Sequence, residues 1–137
     1  MILNEIEAGS ATGLDLRAVP MDLGLVQAAA QALLDAGVRR EVVIHFEAGA
    51  MVLEKEGPVH YQRSLNLPQG FIAGATGAGD AFAAGYLHGT HEGWPVAERL
   101  KLGVCAAAMC LTHSTPSQGL GRVDECWELG ERLGFRE

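Results

Sequence analysis

The stretch from Gly70 to Gly89, GFIAGATGAGDAFAAGYLHG, restricts this chain more than any other. Thr76, Gly77, Ala78, Gly79 and Asp80 make a glycine-rich turn that stops at an acid, and Ala81, Phe82, Ala83, Ala84, Tyr86 and Leu87 continue it with residues a helix accepts. The turn therefore delivers the chain into a helix N-terminus. The first N–H groups of a helix have no partner inside it, the helix dipole adds roughly half a positive charge there, and glycines let a ligand reach the backbone. A phosphate group is the ligand such a turn fits. Asp80 has two readings. It can cap the helix, a contribution of about 1 kcal/mol, or it can take the proton of an attacking hydroxyl beside amides that hold a transferring phosphoryl group.

Two common phosphate motifs are excluded by inspection. A Walker loop requires Gly-Lys-Ser/Thr, and the chain has no Gly-Lys pair. A dinucleotide fingerprint starting at Gly77 requires glycine or alanine where Phe82 stands.

Composition narrows the class further. With 137 residues, 48% hydrophobic and 20% charged, the chain suits one soluble globular domain with a sizeable core. A net charge of −7 and a pI near 5.1 argue against a nucleic-acid or anionic-membrane surface. Cys105, Cys110 and Cys126 are odd in number and lack CxxC spacing, so they read as buried thiols. His88 and His91 stand three apart with no third ligand at a recognisable spacing, and helix-end histidines ordinarily meet solvent or terminal carbonyls. No basic segment leads into an apolar run at the N-terminus, and no apolar stretch approaches the ~20 residues that span a bilayer, so a cytoplasmic location is expected.

The remaining segments alternate as in α/β proteins. Met1-Ile2-Leu3 reads as the end of a buried strand, Asn4 as a helix N-cap, and Glu7 stands at the capping-box position. Asp22 to Ala36 reads as an amphipathic helix facing the core through Leu23, Val26, Ala30, Leu33 and Leu34, with Gly37 as its stop. Glu41 to Phe46 follows as a buried parallel strand. Ala50–Glu54 and Val59–Gln62 are expected to pair as a hairpin about Glu56-Gly57-Pro58. After Gly93-Trp94-Pro95 a long helix carries Leu100, Val104, Ala107, Ala108 and Leu111, and Ala106-Ala107-Ala108 permits close approach of another helix or of a flat ring. A last amphipathic helix is expected over 123–133.

The run from Ala75 to Gly85 resembles the signature of the ribokinase-like carbohydrate kinases, the PfkB family, in which a Gly-Ala-Gly-Asp turn opens a helix. Asn4 and Glu7 match that family's Asn-x-x-Glu motif, and the two motifs stand in the family's order. The resemblance implies an α/β fold of three layers, a mainly parallel sheet flanked by helices, forming the nucleotide-binding C-terminal half of such a kinase. It implies ATP and Mg²⁺ as cofactors, with a monovalent cation also possible in this family. Asp80 is then the catalytic base. Gly77, Ala78 and Gly79 form the anion hole, Thr76, Gly49 and His113 are the cofactor-binding candidates, and Asn4 and Glu7 organise Mg²⁺, chiefly through water. The segment His113 to Leu120, with Ser114-Thr115-Pro116-Ser117, is the candidate adenine-side loop.

Two departures from the family pattern are visible. His45-Phe46-Glu47-Ala48-Gly49 stands where the family has Val-Thr-x-Gly-x-x-Gly, so histidine replaces the threonine and Gly49 alone fits clearly. Gly74 stands where the family usually has an aspartate near the substrate hydroxyls. The family's N-terminal half, which grips the sugar beneath a β lid, has no counterpart in these residues. Two functions are therefore expected as alternatives. One is an ATP-dependent kinase acting on a sugar or nucleoside acceptor. The other is an inactive remnant that binds nucleotide or a partner chain. Self-association, or pairing with an N-terminal half, follows from the open sheet edge either would present. A plain dinucleotide binder is a third, weaker reading.

Overall fold

The computed structural model describes residues 1–115, 119 and 121–137. They form two compact units, Met1–Tyr61 and Gln62–Glu137.

The first unit is a sheet covered by two helices. Strand β1 (Ile2–Asn4) runs directly into α1 (Glu5–Thr12), and α2 (Leu23–Asp35) then leads to β2 (Glu41–Phe46), β3 (Gly49–Glu54) and β4 (Val59–Arg63). The strand order is β1-β2-β3-β4. β1 and β2 are parallel, with Ile2 beside Val43, Leu3 beside Ile44 and Asn4 beside His45. β2 and β3 are antiparallel, with Phe46 opposite Gly49. The sheet is therefore mixed rather than mainly parallel. The reason is local, since the two residues Glu47 and Ala48 that join β2 to β3 are far too few for a parallel crossover.

Apolar spacing explains which faces meet. Val26, Ala29, Ala30, Leu33 and Leu34 recur at helical intervals on α2 and are buried, packed with Val42, Ile44 and Met51 of the sheet. Leu23, expected on that face, is 36% exposed because it is the first helical residue and lies beyond the sheet's cover. Asp22 caps α2 by accepting from the N–H groups of Gly24 and Leu25. Val42, Val43 and Ile44 are each fully buried, as a continuous apolar strand requires.

The second unit is built on three helices, α3 (Ala78–His91), α4 (Val96–Leu111) and α5 (Val123–Leu133). α3 and α4 cross through glycines. A Cβ on Gly85 would lie 3.1 Å from the Leu102 carbonyl and 3.2 Å from Ala106 Cβ, and one on Gly103 would lie 2.7 Å from the Phe82 ring. The alanine cluster thus serves helix packing at Ala106. α5 packs against α4, where Gly130 makes room for the Cys105 sulfur. The segment after β4 is tied to the chain end, with Leu65 bridged to Phe135 and the Arg63 guanidinium hydrogen-bonded to Glu137. The three cysteines are buried free thiols. No described helix is long and apolar enough to cross a membrane.

Candidate active site

The glycine-rich turn enters α3 through Gly77, whose φ of 87° and ψ of −4° lie in the left-handed region that glycine adopts without strain. Gly77 is the N-cap and carries no side chain to cap with, so no side chain takes the N–H groups of the first turn, although the Ala78 N–H donates to the Ala75 carbonyl at a long 3.4 Å. The first intrahelical bond, from the Ala81 N–H to the Gly77 carbonyl at 2.9 Å, begins only after Ala78, Gly79 and Asp80. Asp80 is the third helical residue, not the cap, which removes the capping reading of its carboxylate. That carboxylate is exposed and has no hydrogen-bond partner among the described residues.

The C-terminal end of α4 holds the preceding loop. The Ala73 N–H donates to the Leu111 carbonyl at 2.8 Å, and the Cys110 thiol donates to the Thr76 carbonyl at 3.8 Å. Gly74 lies against the backbone that follows α4. A Cβ there would come within 3.2 Å of the His113 carbonyl and of Ser114 Cα, so the family's aspartate could enter only if that backbone shifted. Cys110 is the contributor that sequence reading missed, because a cysteine at a helical interval reads simply as core.

Thr76 itself is exposed, and so is His113. His113 borders an open groove of about 510 Å³ between the end of α4 and α5, with Met109, Thr112, Glu125, Glu128 and Arg132. Pro116, Ser117, Gln118 and Leu120 of the proposed adenine-side loop lie outside the described residues.

The first unit carries the second group of candidates. The register places Asn4 beside His45 at the carboxyl ends of two parallel strands, the edge at which open α/β sheets place ligands. Asn4 and Glu7 complete a capping box, as their spacing allowed. Glu7 stays exposed and uses Oε2 for the cap, which leaves Oε1 able to meet a hydrated cation. Gly49 is buried as the first residue of β3. The structure thus gathers Asn4, Glu7 and His45 in one unit and Thr76 to Asp80, Gly74 and His113 in the other.

An uncapped, glycine-entered helix with a carboxylate in its first turn combines the elements that anion binding and proton transfer use in α/β proteins. Comparison with known proteins makes this class specific. The model of the pfkB family carbohydrate kinases matches residues 1–120, and the chain belongs to that family. It is 33% identical over 103 residues to an ATP-dependent 6-phosphofructokinase isozyme 2 of Mycobacterium tuberculosis, covering 74% of this chain and 30% of the relative. It is 29% identical over 76 residues to a 5-dehydro-2-deoxygluconokinase of Geobacillus thermodenitrificans, covering 52% of this chain and 23% of the relative. Among solved structures, Arabidopsis thaliana ribokinase complexed with ribose and ATP superposes with a TM-score of 0.77 at 21% identity, covering 98% of this chain and 40% of the ribokinase. The fold is therefore ribokinase-like, and the matched region spans less than a third of the curated relatives' length.

Proposed function

We propose that this chain is the nucleotide-binding part of an ATP-dependent kinase that transfers the γ-phosphate to a hydroxyl of a sugar or nucleoside. The observation that carries the reading is the entry to α3, an uncapped helix start on a left-handed glycine with the Asp80 carboxylate, exposed and without a hydrogen-bond partner among the described residues, in its first turn. Gly77, Ala78 and Gly79 offer backbone N–H groups to the phosphate oxygens, where charge develops during transfer, the Ala78 N–H by giving up its long 3.4 Å bond to the Ala75 carbonyl. Asp80 takes the proton from the attacking hydroxyl, which raises the nucleophilicity of that oxygen. Asn4 and Glu7 are the residues that would hold Mg²⁺, Glu7 through water. The ion, when bound, neutralises phosphate charge. Thr76, Gly49 and His113 remain the candidates for contact with the nucleotide, and a monovalent cation is the further candidate cofactor alongside Mg²⁺.

A second reading is an inactive remnant that binds nucleotide or pairs with another chain; the matched region covers 23% and 30% of the two relatives. Positioning of the acceptor contributes several kcal/mol to such reactions, so turnover is the property that separates the readings. The test is ADP release by the purified chain with ATP, Mg²⁺ and K⁺, using ribose, adenosine, fructose 6-phosphate and 5-dehydro-2-deoxygluconate in turn. Acceptor-dependent ADP release that disappears in Asp80→Asn supports the kinase. Nucleotide binding without ADP release for any acceptor supports the remnant.

A further inference from the structure

We propose that Cys110 is a positioning residue of the anion-binding turn, its thiol fixing the Thr76 carbonyl and thereby aiming the Gly77 N–H. The inference rests on reading that turn as a phosphate site. Cys110 lies on the last turn of α4, is 1% exposed, and donates to Thr76 O at 3.8 Å, within the longer reach of sulfur. The Thr76–Gly77 peptide is trans, so its C=O and N–H point to opposite sides of one plane. Drawing the carbonyl toward the buried thiol turns the Gly77 N–H away from it.

The neighbouring anchors make this bond consequential. The Ala73 N–H is held by the Leu111 carbonyl, and Gly74 abuts the backbone of His113 and Ser114. The loop is therefore fixed up to residue 74, and beyond it the Ala78 N–H reaches the Ala75 carbonyl at a long 3.4 Å, closing a turn whose central peptide is Thr76–Gly77 and whose central carbonyl is the one the thiol meets. Gly77 follows immediately, and glycine tolerates several orientations of its peptide planes. Without the thiol, the central peptide of this turn loses that contact and can flip while the flanking Ala78-to-Ala75 and Ala81-to-Gly77 bonds persist. Cys110 is itself held in place, since Gly119 packs so closely that a Cβ there would lie 2.7 Å from Cys110 Cα. Burial, and next the Asp80 carboxylate, push the thiol pKa up, which keeps the proton on sulfur at neutral pH.

The test follows backbone amide resonances of the full chain during titration with Mg²⁺ and a non-hydrolysable ATP analogue. Wild type is compared with Cys110→Ala, Cys110→Val and Cys110→Ser. Val retains bulk without a donor, and Ser retains a donor. The expected result is that Gly77 and Gly79 resonances of wild type move on titration. The Ala and Val variants should bind roughly three- to tenfold more weakly, with the Gly77 resonance already displaced before ligand is added, and Ser should restore most of the affinity. Wild-type affinity and an unshifted Gly77 resonance in the Val variant would show that bulk alone matters, overturning the proposal while leaving the phosphate site intact. Unmoved Gly77 and Gly79 resonances in wild type would overturn the phosphate reading, and the proposal with it.

Discussion

Asn4 and Glu7 cap one another. The Glu7 N–H donates to Asn4 Oδ1 at 2.8 Å and the Asn4 N–H donates to Glu7 Oε2 at 2.9 Å. A motif with a metal role in the family is thus also a structural device in this chain, and the two roles separate by mutation. Asn4→Ala removes an acceptor at a helix start and is expected to cost about 1 kcal/mol in chemical denaturation. Glu7→Gln keeps an oxygen acceptor and removes the charge. Its stability should stay near wild type while the Mg²⁺ dependence of nucleotide binding weakens by about tenfold or more. Equal Mg²⁺ dependence in both proteins would confine Glu7 to capping.

Asp80→Asn tests the chemical step. The carboxylate is exposed and supports no cap, so the variant should melt with wild type. Loss of a general base is expected to lower any acceptor-dependent turnover by roughly 10²- to 10⁴-fold. Nucleotide affinity should be preserved, because a negative charge near phosphate is removed rather than added. Steady-state kinetics and calorimetry on the same preparation distinguish these effects, and unchanged turnover would remove Asp80 from the base role.

Much of this was legible in the sequence, and the reasons differ by segment. The capping box, the α2 face and α5 announce themselves through side chains, which obey spacing rules. The hairpin between β2 and β3 does not. Glu47 and Ala48 supply neither the glycine nor the asparagine of a tight turn, and neither has a positive φ, so no turn chemistry marks the reversal. The glycine crossing of α3 and α4 was hidden for a related reason. Gly85 and Gly103 read as weak helix residues until the partner helix shows what a Cβ would meet. The Gly77 to Asp80 turn was legible as a glycine-entered helix start, but the position of Asp80 within the helix was not. N-cap and third residue differ by one turn of backbone geometry, not by residue type.

Gly103→Ala probes that crossing. The added methyl would come within 2.7 Å of the Phe82 ring, which is 2% exposed and has little room to yield. Alanine gains up to about 1 kcal/mol in helix propensity over glycine, but overpacking a rigid core costs about 1–3 kcal/mol. A net loss of stability is expected by denaturant titration. A more stable variant would mean that Phe82 moves aside freely.

Cys105 should make the protein sensitive to alkali. Burial pushes its thiol from 9.0 to about 12, with Cys126 adding to the shift and Lys101 opposing it. The thiol is protonated in both states below about pH 9, so the contribution is fully present there. Above that pH the unfolded chain ionises first, and stability falls as pH rises towards 12. Between pH 8 and 10.5 wild type is expected to lose up to about 2 kcal/mol more than Cys105→Ala. Parallel pH profiles for the two proteins would contradict the assignment.

The central claim is that the entry to α3 holds the phosphates of a nucleotide. Its most direct test is calorimetric titration of the folded 137-residue chain with Mg²⁺ and a non-hydrolysable ATP analogue, repeated with Gly77→Ala. The left-handed φ of 87° makes that variant strained by about 1–2 kcal/mol, and the turn should open. The account predicts saturable one-site binding by wild type and markedly weaker binding by a Gly77→Ala protein that still folds. Absence of wild-type binding in calorimetry and again in equilibrium dialysis would contradict it.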